Sequence, residues 1–541
     1  MRQNSFLNDR NIILIVALAA LFIPVIAIEY NVMKSTNGTF MYPLDDTFIH
    51  MSVAKNFAFY NNWGINKSEF ASASSSLFYT LLLAALFKIF SAQIIIPFIV
   101  NVVAAIGLLI VLQRWLQKQN IPATAQLIIL LCIIFFTPLP ILIISGMEHI
   151  LQCIFSFLFI FKFSEWLEKM LVNKEVKWRL PWQIFLYGIL VSSIRYEGIF
   201  LIGIICLILL FYKKIVLAFQ LGIISLLPII IFGIYSVTKG SYFLPNSVLL
   251  KSQSIPFSLN GIVEFFGNIF IQKLTTANTG ITLLATQRLL IILPLAYLFF
   301  IKQIQQKISY KFILIILIGC TFLQLSFAST GWFYRYEAYL ILCSIMILSV
   351  LIYNYLKDFF LERTKKMQLI VLVALLFMLS FPFVLRSMAA FSKASQACVN
   401  IYQQQYQMGQ FQKKYYDNYN ICANDIGALT FFTNANDLDL WGLGNIDVAR
   451  SKKNNYWTAN FLDSLSKNKN AGIAIVYDSW FSDSLLNRWK KVATWQMQNN
   501  VICGSDIVSF YAIDKNIEPD LKKNLIDFQK ILPADVKVKY Y

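Results

Sequence analysis

The chain is a succession of apolar runs separated by short polar stretches. The longest, such as Asn11–Ile28 and Gln368–Val384, approach the roughly 18–20 residues a helix needs to cross a bilayer. Runs of this kind fall near 11–29, 93–112, 123–141, 148–163, 182–195, 198–212, 215–236, 281–301, 312–329, 336–356 and 367–385. One further run, Leu77–Phe90, is about 14 residues long, which suits an interfacial or re-entrant helix better than a span. From residue 386 the pattern changes, because no apolar run is long enough to cross. Short β-like runs (Asn420–Ala423, Ile473–Tyr477, Lys491–Trp495, Ile507–Ile513) alternate with helix-like stretches such as Ser392–Tyr416 and Ser482–Trp489. The expected architecture is therefore a polytopic α-helical membrane protein with about eleven transmembrane helices. It divides into a membrane module over 1–385, whose first external loop covers 30–92, and a small α/β domain over 386–541.

Composition strengthens this picture. The 541 residues are 58% hydrophobic and only 14% charged, where a soluble domain carries about 25% charged residues. The formal net charge of +18 would suggest nucleic acid in a soluble protein. Here the basic residues fall in alternate loops. With Leu77–Phe90 not crossing, one side collects Arg2 and Arg10, Arg114 and Lys118, Lys213 and Lys214, and the group from Lys357 to Lys366. That is the distribution the positive-inside rule requires, so nucleic acid is not an expected partner. Of eight cysteines, five lie in apolar runs. Cys398, Cys422 and Cys503 lie in the polar part, where one disulfide is compatible with the sequence but its pairing is not readable.

The same alternation puts the ionisable residues outside the basic loops on the opposite membrane face, together with the segment after 386. Asp45 and Asp46 are adjacent carboxylates just beyond the first span. If 46–60 is helical, Asp46 and His50 share a face. Adjacent carboxylates repel, which raises the proton affinity of at least one and suits a general base. The structural alternative is an N-terminal helix cap. Glu148 and His149 open a span and offer a second acid for the same cavity. Carboxylates and histidine from two loops are compatible with Mg²⁺ or Mn²⁺, with Asp45, Asp46 and Glu148 as candidate ligands, but no dense ligand spacing demands a metal. Arg195 and Arg335 each precede a glutamate by two residues, Glu197 and Glu337. On a helix such pairs do not face each other, so each guanidinium is expected to seek another partner, and its fork matches a phosphate. Lys251, behind the Pro245-Asn246-Ser247 turn, is a further phosphate candidate. Tyr336 belongs to an aromatic cluster with Trp332, Phe333 and Tyr334 that fits an interfacial belt or a sugar-stacking surface.

These residues resemble a family. Asp45-Asp46-Thr47-Phe48-Ile49, Ala54-Lys55-Asn56 and Ser74-Ser75-Ser76-Leu77 resemble the first external loop of GT-C fold glycosyltransferases. Ser145-Gly146-Met147-Glu148 resembles the element that follows. Arg195-Tyr196-Glu197-Gly198 is similar to an Arg-Pro-Glu-Gly motif, and Leu244-Pro245-Asn246-Ser247 with Lys251 to a Leu-Pro-Asn-Thr…Lys loop. By these motifs the chain resembles terminal arabinofuranosyltransferases and, more distantly, protein mannosyltransferase-like enzymes. The resemblance covers roughly residues 11–340. It implies a polyprenyl-phosphate-linked sugar donor and an active site external to a bacterial cytoplasmic membrane. It implies a glycan, lipid or protein acceptor, and a base from the first loop, by position Asp45. Ala423-Asn424-Asp425-Ile426-Gly427 and Leu440-Trp441-Gly442-Leu443-Gly444-Asn445 also resemble elements of bacterial membrane transferases, without an assigned role. The competing class is a transporter or lipid flippase, which would favour charges near mid-span and pseudo-symmetric halves. The charges lie at span ends and no such halves are visible.

Overall fold

The computed structural model describes residues 9–173, 177–250, 281–362 and 366–541. It is dominated by helices, and among the described residues seven are long and apolar enough to cross a membrane. They are Asn11–Ser35, Ile96–Lys118, His149–Val172, Ile215–Thr238, Ile308–Phe327, Ala338–Asp358 and Leu369–Tyr415. Four other expected spans are shorter apolar helices: Ala123–Phe136, Trp182–Ile194, Gly198–Phe211 and Ala285–Phe299. The Leu77–Phe90 run is a helix with those bounds, capped by Ser76, whose hydroxyl accepts from the Tyr79 amide. The protein is thus helical with several candidate membrane spans and a C-terminal sheet.

The chain divides into two compact units that do not follow chain order. Among the described residues, one comprises 9–27, 98–229 and 281–392; the other comprises 28–97, 230–250 and 393–541. The first polar loop, with its two carboxylates, therefore belongs to the same unit as the C-terminal segment. The boundary anticipated at 385/386 lies inside the continuous helix Lys366–Ile401.

The sheet in the second unit has six strands: β1 (Ile421–Ala423), β2 (Leu438–Asp439), β3 (Ile473–Val476), β4 (Lys490–Gln496), β5 (Ile507–Ala512) and β6 (Lys537–Tyr540), in the order β2-β1-β3-β5-β4-β6. β1 runs parallel to β2 and β3, and the remaining pairs are antiparallel. The period of two distributes side chains to opposite faces. Ile421, Ala423, Ile473 and Ile475 join Phe411, Trp495, Phe510 and Phe528 on one side, with Ile49 and Val53 of the first loop packed into the same core. Cys422, Ala474 and Val476 face Val448, Leu462 and Trp489 on the other. The four runs read as strands in the sequence are β1, β3, β4 and β5. No disulfide forms: all three C-terminal cysteines are free thiols. Cys422 donates to the Ser466 hydroxyl and Cys503 to the Gln405 side-chain oxygen, so each sulfur already has its own partner in a separate place.

Candidate functional site

The carboxylate pair opens a helix, Asp45–Tyr60, as the spacing predicts. That helix carries a stripe at positions 45, 48, 52 and 55, which is one helical face. Along this face lies a six-residue helix of the C-terminal segment, Gly427–Phe432. The Gly427 and Ala428 amides donate to the two oxygens of Asp45 at 2.6 and 2.8 Å. Phe48 packs on Phe431 and Phe432. The Thr430 hydroxyl donates to Ser52. At the far end Lys55 Nζ donates to the carbonyls of Thr430, Phe431 and Thr433. An acid thus meets the amide end and a base the carbonyl end of one short helix, the arrangement its dipole favours. Gly427 makes the close approach possible. A Cβ there would sit 2.1 Å from the Asp45 carbonyl oxygen, so no larger residue fits without a shift.

Asp45 is therefore a cap, though for another segment's helix rather than its own. It is also one of a group of acids. Asp425 follows β1, and Tyr477 follows β3, so both lie at the carboxyl ends of adjacent parallel strands. Asn424 ties these ends together by accepting the Tyr477 amide at 2.9 Å. Asp425 and Asp45 are close enough to shift each other's proton affinity. Tyr477 Oη and Gln405 Nε2 each donate to Asp425 Oδ2 at 2.7 Å. Tyr477 also contacts Gln404 Oε1 at 2.5 Å. Two consecutive glutamines reach one tyrosine because the helix widens to a π turn over Tyr402–Tyr406, a device frequent at functional sites. Burial pushes the proton affinity of both Asp45 and Asp425 up; the charges of Asp425 and Asp46 add to it at Asp45, whereas at Asp425 Asp46 adds to it and Asp45 works against it. Asp45 is 8% exposed, whereas Asp46 is half-buried.

His50 sits one turn on. Its Nδ1 lies 3.0 Å from Ser74 Oγ and 3.3 Å from Thr80 Oγ1, which fixes the Leu77–Phe90 helix to the carboxylate helix. Asn246 is fully buried. Its amide donates to the Ser72 carbonyl and its side chain to the Leu443 carbonyl, so it joins the first loop to the Trp441–Gly444 turn. Lys251 lies outside the described residues.

The other unit gathers the remaining candidates. Arg195 Nη1 meets Glu148 Oε1 at 2.9 Å, and its Nε and Nη2 form a fork on Glu197 at 3.0 and 2.5 Å. The expectation that residues 195 and 197 could not pair fails for a local reason. They are not in one helix. Arg195 is the extended residue that ends Trp182–Ile194, and Glu197 precedes Gly198–Phe211. A phosphate approaching Arg195 would compete with two carboxylates. The Tyr336 ring lies between two guanidiniums, Arg195 at 5.1 Å and Arg335 at 4.9 Å, with the His149 ring 6.0 Å away. Arg335 is 1% exposed. Glu337 pairs with Arg386 at 2.9 Å and accepts the Gly331 amide.

The turn that delivers Arg335 and Tyr336 is strained. Gly331, Trp332, Phe333 and Tyr334 all have positive φ, between 36° and 81°. Left-handed backbone costs roughly 1–2 kcal/mol for each non-glycine residue, and such strain clusters where function requires a fixed geometry.

The structure thus sorts the candidates by unit: Asp45, Asp46, His50 and Asn246 in one, and Glu148, His149, Arg195, Glu197, Arg335 and Tyr336 in the other. Among the described residues no three or more histidine, cysteine or carboxylate groups are arranged to hold a metal ion. Tyr477, Gln404, Gln405 and Arg386 are participants that no local motif announces, whereas Asp425 lies in the Ala423–Gly427 stretch that the sequence singles out without a role. The one available signal was Asn424-Asp425 beside a glycine at a strand end. Residues 399–511 match the family model of a domain of unknown function, DUF8728. No curated protein matches the chain.

Proposed function

We propose that the protein is an integral-membrane glycosyltransferase of the GT-C type that moves a sugar from a polyprenyl-phosphate donor to a glycan, lipid or protein acceptor. The observation that carries this reading is the acid cluster at the head of the Asp45–Tyr60 helix, two carboxylates of high proton affinity beside a more accessible third, Asp46. In this reading all eleven apolar segments cross the membrane, and the segment from 386 lies outside a bacterial cytoplasmic membrane.

Asp46 takes the proton of the acceptor hydroxyl, while Asp45, held by two backbone amides, fixes the helix start. The acceptor oxygen attacks the anomeric carbon, and the bond to the lipid phosphate breaks with its electron pair leaving on the phosphate. A lipid phosphate is already a good leaving group, so charge stabilisation and positioning matter more than acid catalysis. Arg335 is assigned to the departing phosphate, with Arg195 and Lys251 as further donors and Tyr336 as the ring that orients both guanidiniums. Glu148 and Glu197 hold Arg195 in place, and the His149 ring packs near Tyr336. His50 and Asn246 keep the first loop fixed.

The test is turnover of labelled polyprenyl-phosphate hexose or pentose by the purified full chain in lipid nanodiscs, with an envelope extract as acceptor. Asp46→Asn should lower transfer about 10²–10⁴-fold, the range of general base catalysis, with an unchanged melting temperature. Wild-type rates in that variant, or no donor consumption by the native protein, would sink the assignment.

A further inference from the structure

The helix Ile215–Thr238 is a candidate membrane span, and its last turns belong to the same unit as the C-terminal segment. In those turns Ile230, Ile231, Ile234 and Val237 are exposed, a spacing that keeps them on one broad helical face. Past Val237 the character changes. Lys239, Tyr242 and Phe243 follow in a turn that is firmly built. The Ser241 amide donates to the Ser236 carbonyl, and the Ser236 hydroxyl to the Tyr242 carbonyl. Phe243 folds back on the helix at Gly233, where a Cβ would come within 2.5 Å of its ring. Against this turn lies the helix Ile446–Lys453. Arg450 Nη2 donates to the Gly240 carbonyl, and Lys453 Nζ sits 4.4 Å from the Tyr242 ring centre. Lys239 Nζ sits 5.7 Å from the ring centre of Tyr235. Cations from two distant parts of the chain thus meet where the apolar face stops. The acid of that helix is Asp447, 3.8 Å from Arg450. Lys452 packs instead on the rings of Trp441 and Trp457. A helix dipole accounts for basic residues in a last turn, but Lys239 belongs to another segment. Topology does not account for them either, because the alternation expected from the sequence puts this turn on the face opposite the basic loops.

We propose that Lys239, Arg450 and Lys453 form a docking surface for the anionic phospholipid headgroups of the leaflet at that end of the span, and that it holds the helix Ile446–Lys453 on the bilayer surface. The order along the chain is apolar, then aromatic, then cationic, which is the order of hydrocarbon, interface and headgroup. Tyr235 and Tyr242 present apolar ring bodies with polar tips, as interfacial tyrosines do. The lysine stems lie along those rings and leave their ammonium groups free to reach phosphate oxygens. The surface requires the span to cross the membrane; it does not require any sugar chemistry.

The experiment is amide hydrogen exchange of the 446–453 helix in the full chain, in nanodiscs of phosphatidylcholine alone and of an equal mixture with phosphatidylglycerol. A basic side chain near an anionic surface is worth roughly fivefold in binding, so exchange should slow by at least about tenfold in the anionic discs. Lys239→Gln with Lys453→Gln should bring the slowing below about threefold. Lys515→Gln with Lys523→Gln, which removes the same charge from exposed positions elsewhere, should leave it intact. Should the first double variant not fold, salt decides on the native chain. An ionic strength of about 0.5 M cuts the screening length below about 5 Å, and slowing that survives it overturns the proposal. Equal exchange in the two kinds of disc overturns it as well, as does full slowing in Lys239→Gln with Lys453→Gln. Inorganic phosphate added to phosphatidylcholine discs should change nothing; protection by phosphate alone would mark a site for a free anion instead of a membrane surface. The result stands whether or not any sugar is transferred, so this reading and the glycosyltransferase reading fail separately.

Discussion

Asp45 and Glu148 are both buried acids at a helix start, and the protein treats them in opposite ways. Glu148, fully buried, is met by a guanidinium that also grips Glu197. Asp45 is met by another acid and two backbone amides. The first solution keeps both charges and answers one with the other. The second sets acids together and raises the proton affinity of both. An ion pair answers one charge with another, whereas clustered acids depend on a proton to relieve their repulsion.

The comparison breaks first if the two clusters respond alike to losing a member. Arg195→Met leaves two acids without their cation and should destabilise its unit by about 3–5 kcal/mol, read by thermal melting in detergent. Asp425→Asn keeps an acceptor for Tyr477 and Gln405 and should change stability by less than about 1 kcal/mol. Equal losses would mean that the acid pair is as dependent on charge as the arginine cluster. Gly427→Ala is the next largest effect. The added methyl would meet the Asp45 carbonyl oxygen at 2.1 Å, and a cost of about 1–3 kcal/mol is expected for such overpacking. A neutral melting temperature would show that the short helix is not held as closely as described.

The smallest effect is the dependence on pH. Asp45 and Asp425 bind a proton more tightly in the folded chain than the 3.8 of a free aspartate. The folded state therefore holds the extra proton, and the pair's contribution is fully present below the ordinary carboxylate range. It is lost as pH rises through the raised value, because stability falls with pH wherever the folded state binds more protons. Melting of the wild type from pH 4 to 9 should decline, and Asp425→Asn should flatten that slope. A wild-type profile that rises over the same interval would contradict the sign.

Much of this was legible in the sequence. The apolar runs located where the helices start to within a few residues, although the last runs on past 385 to Ile401, and the alternation at 473–476 and 507–512 located two central strands. The Asp45-Asp46 pair was singled out because charges beside a bilayer are costly. Two things were hidden. Arg195 and Glu197 looked incapable of pairing because their spacing was judged on a helix, while the chain in fact breaks between them. Asp425 could not be connected to Asp45, because contacts between distant segments leave no periodic trace. Likewise β2 and β6 are too short or too edge-like for alternation to reveal them. The π turn at Tyr402–Tyr406 shows no signal beyond a run of glutamines that reads as plain helix.

The Asp45–Gly427 hydrogen bond spans 382 residues of chain. A ribosome adding about 5–20 residues per second makes the short helix roughly 20–80 s after the carboxylates have emerged. For that interval the Asp45–Tyr60 helix has neither its amides nor its partner acid, and its apolar residues Ile49 and Val53 lack the sheet they pack against. A part of the chain synthesised later thus completes one synthesised earlier. Loss of the segment around Gly427 would be expressed as damage around Asp45, 382 residues earlier.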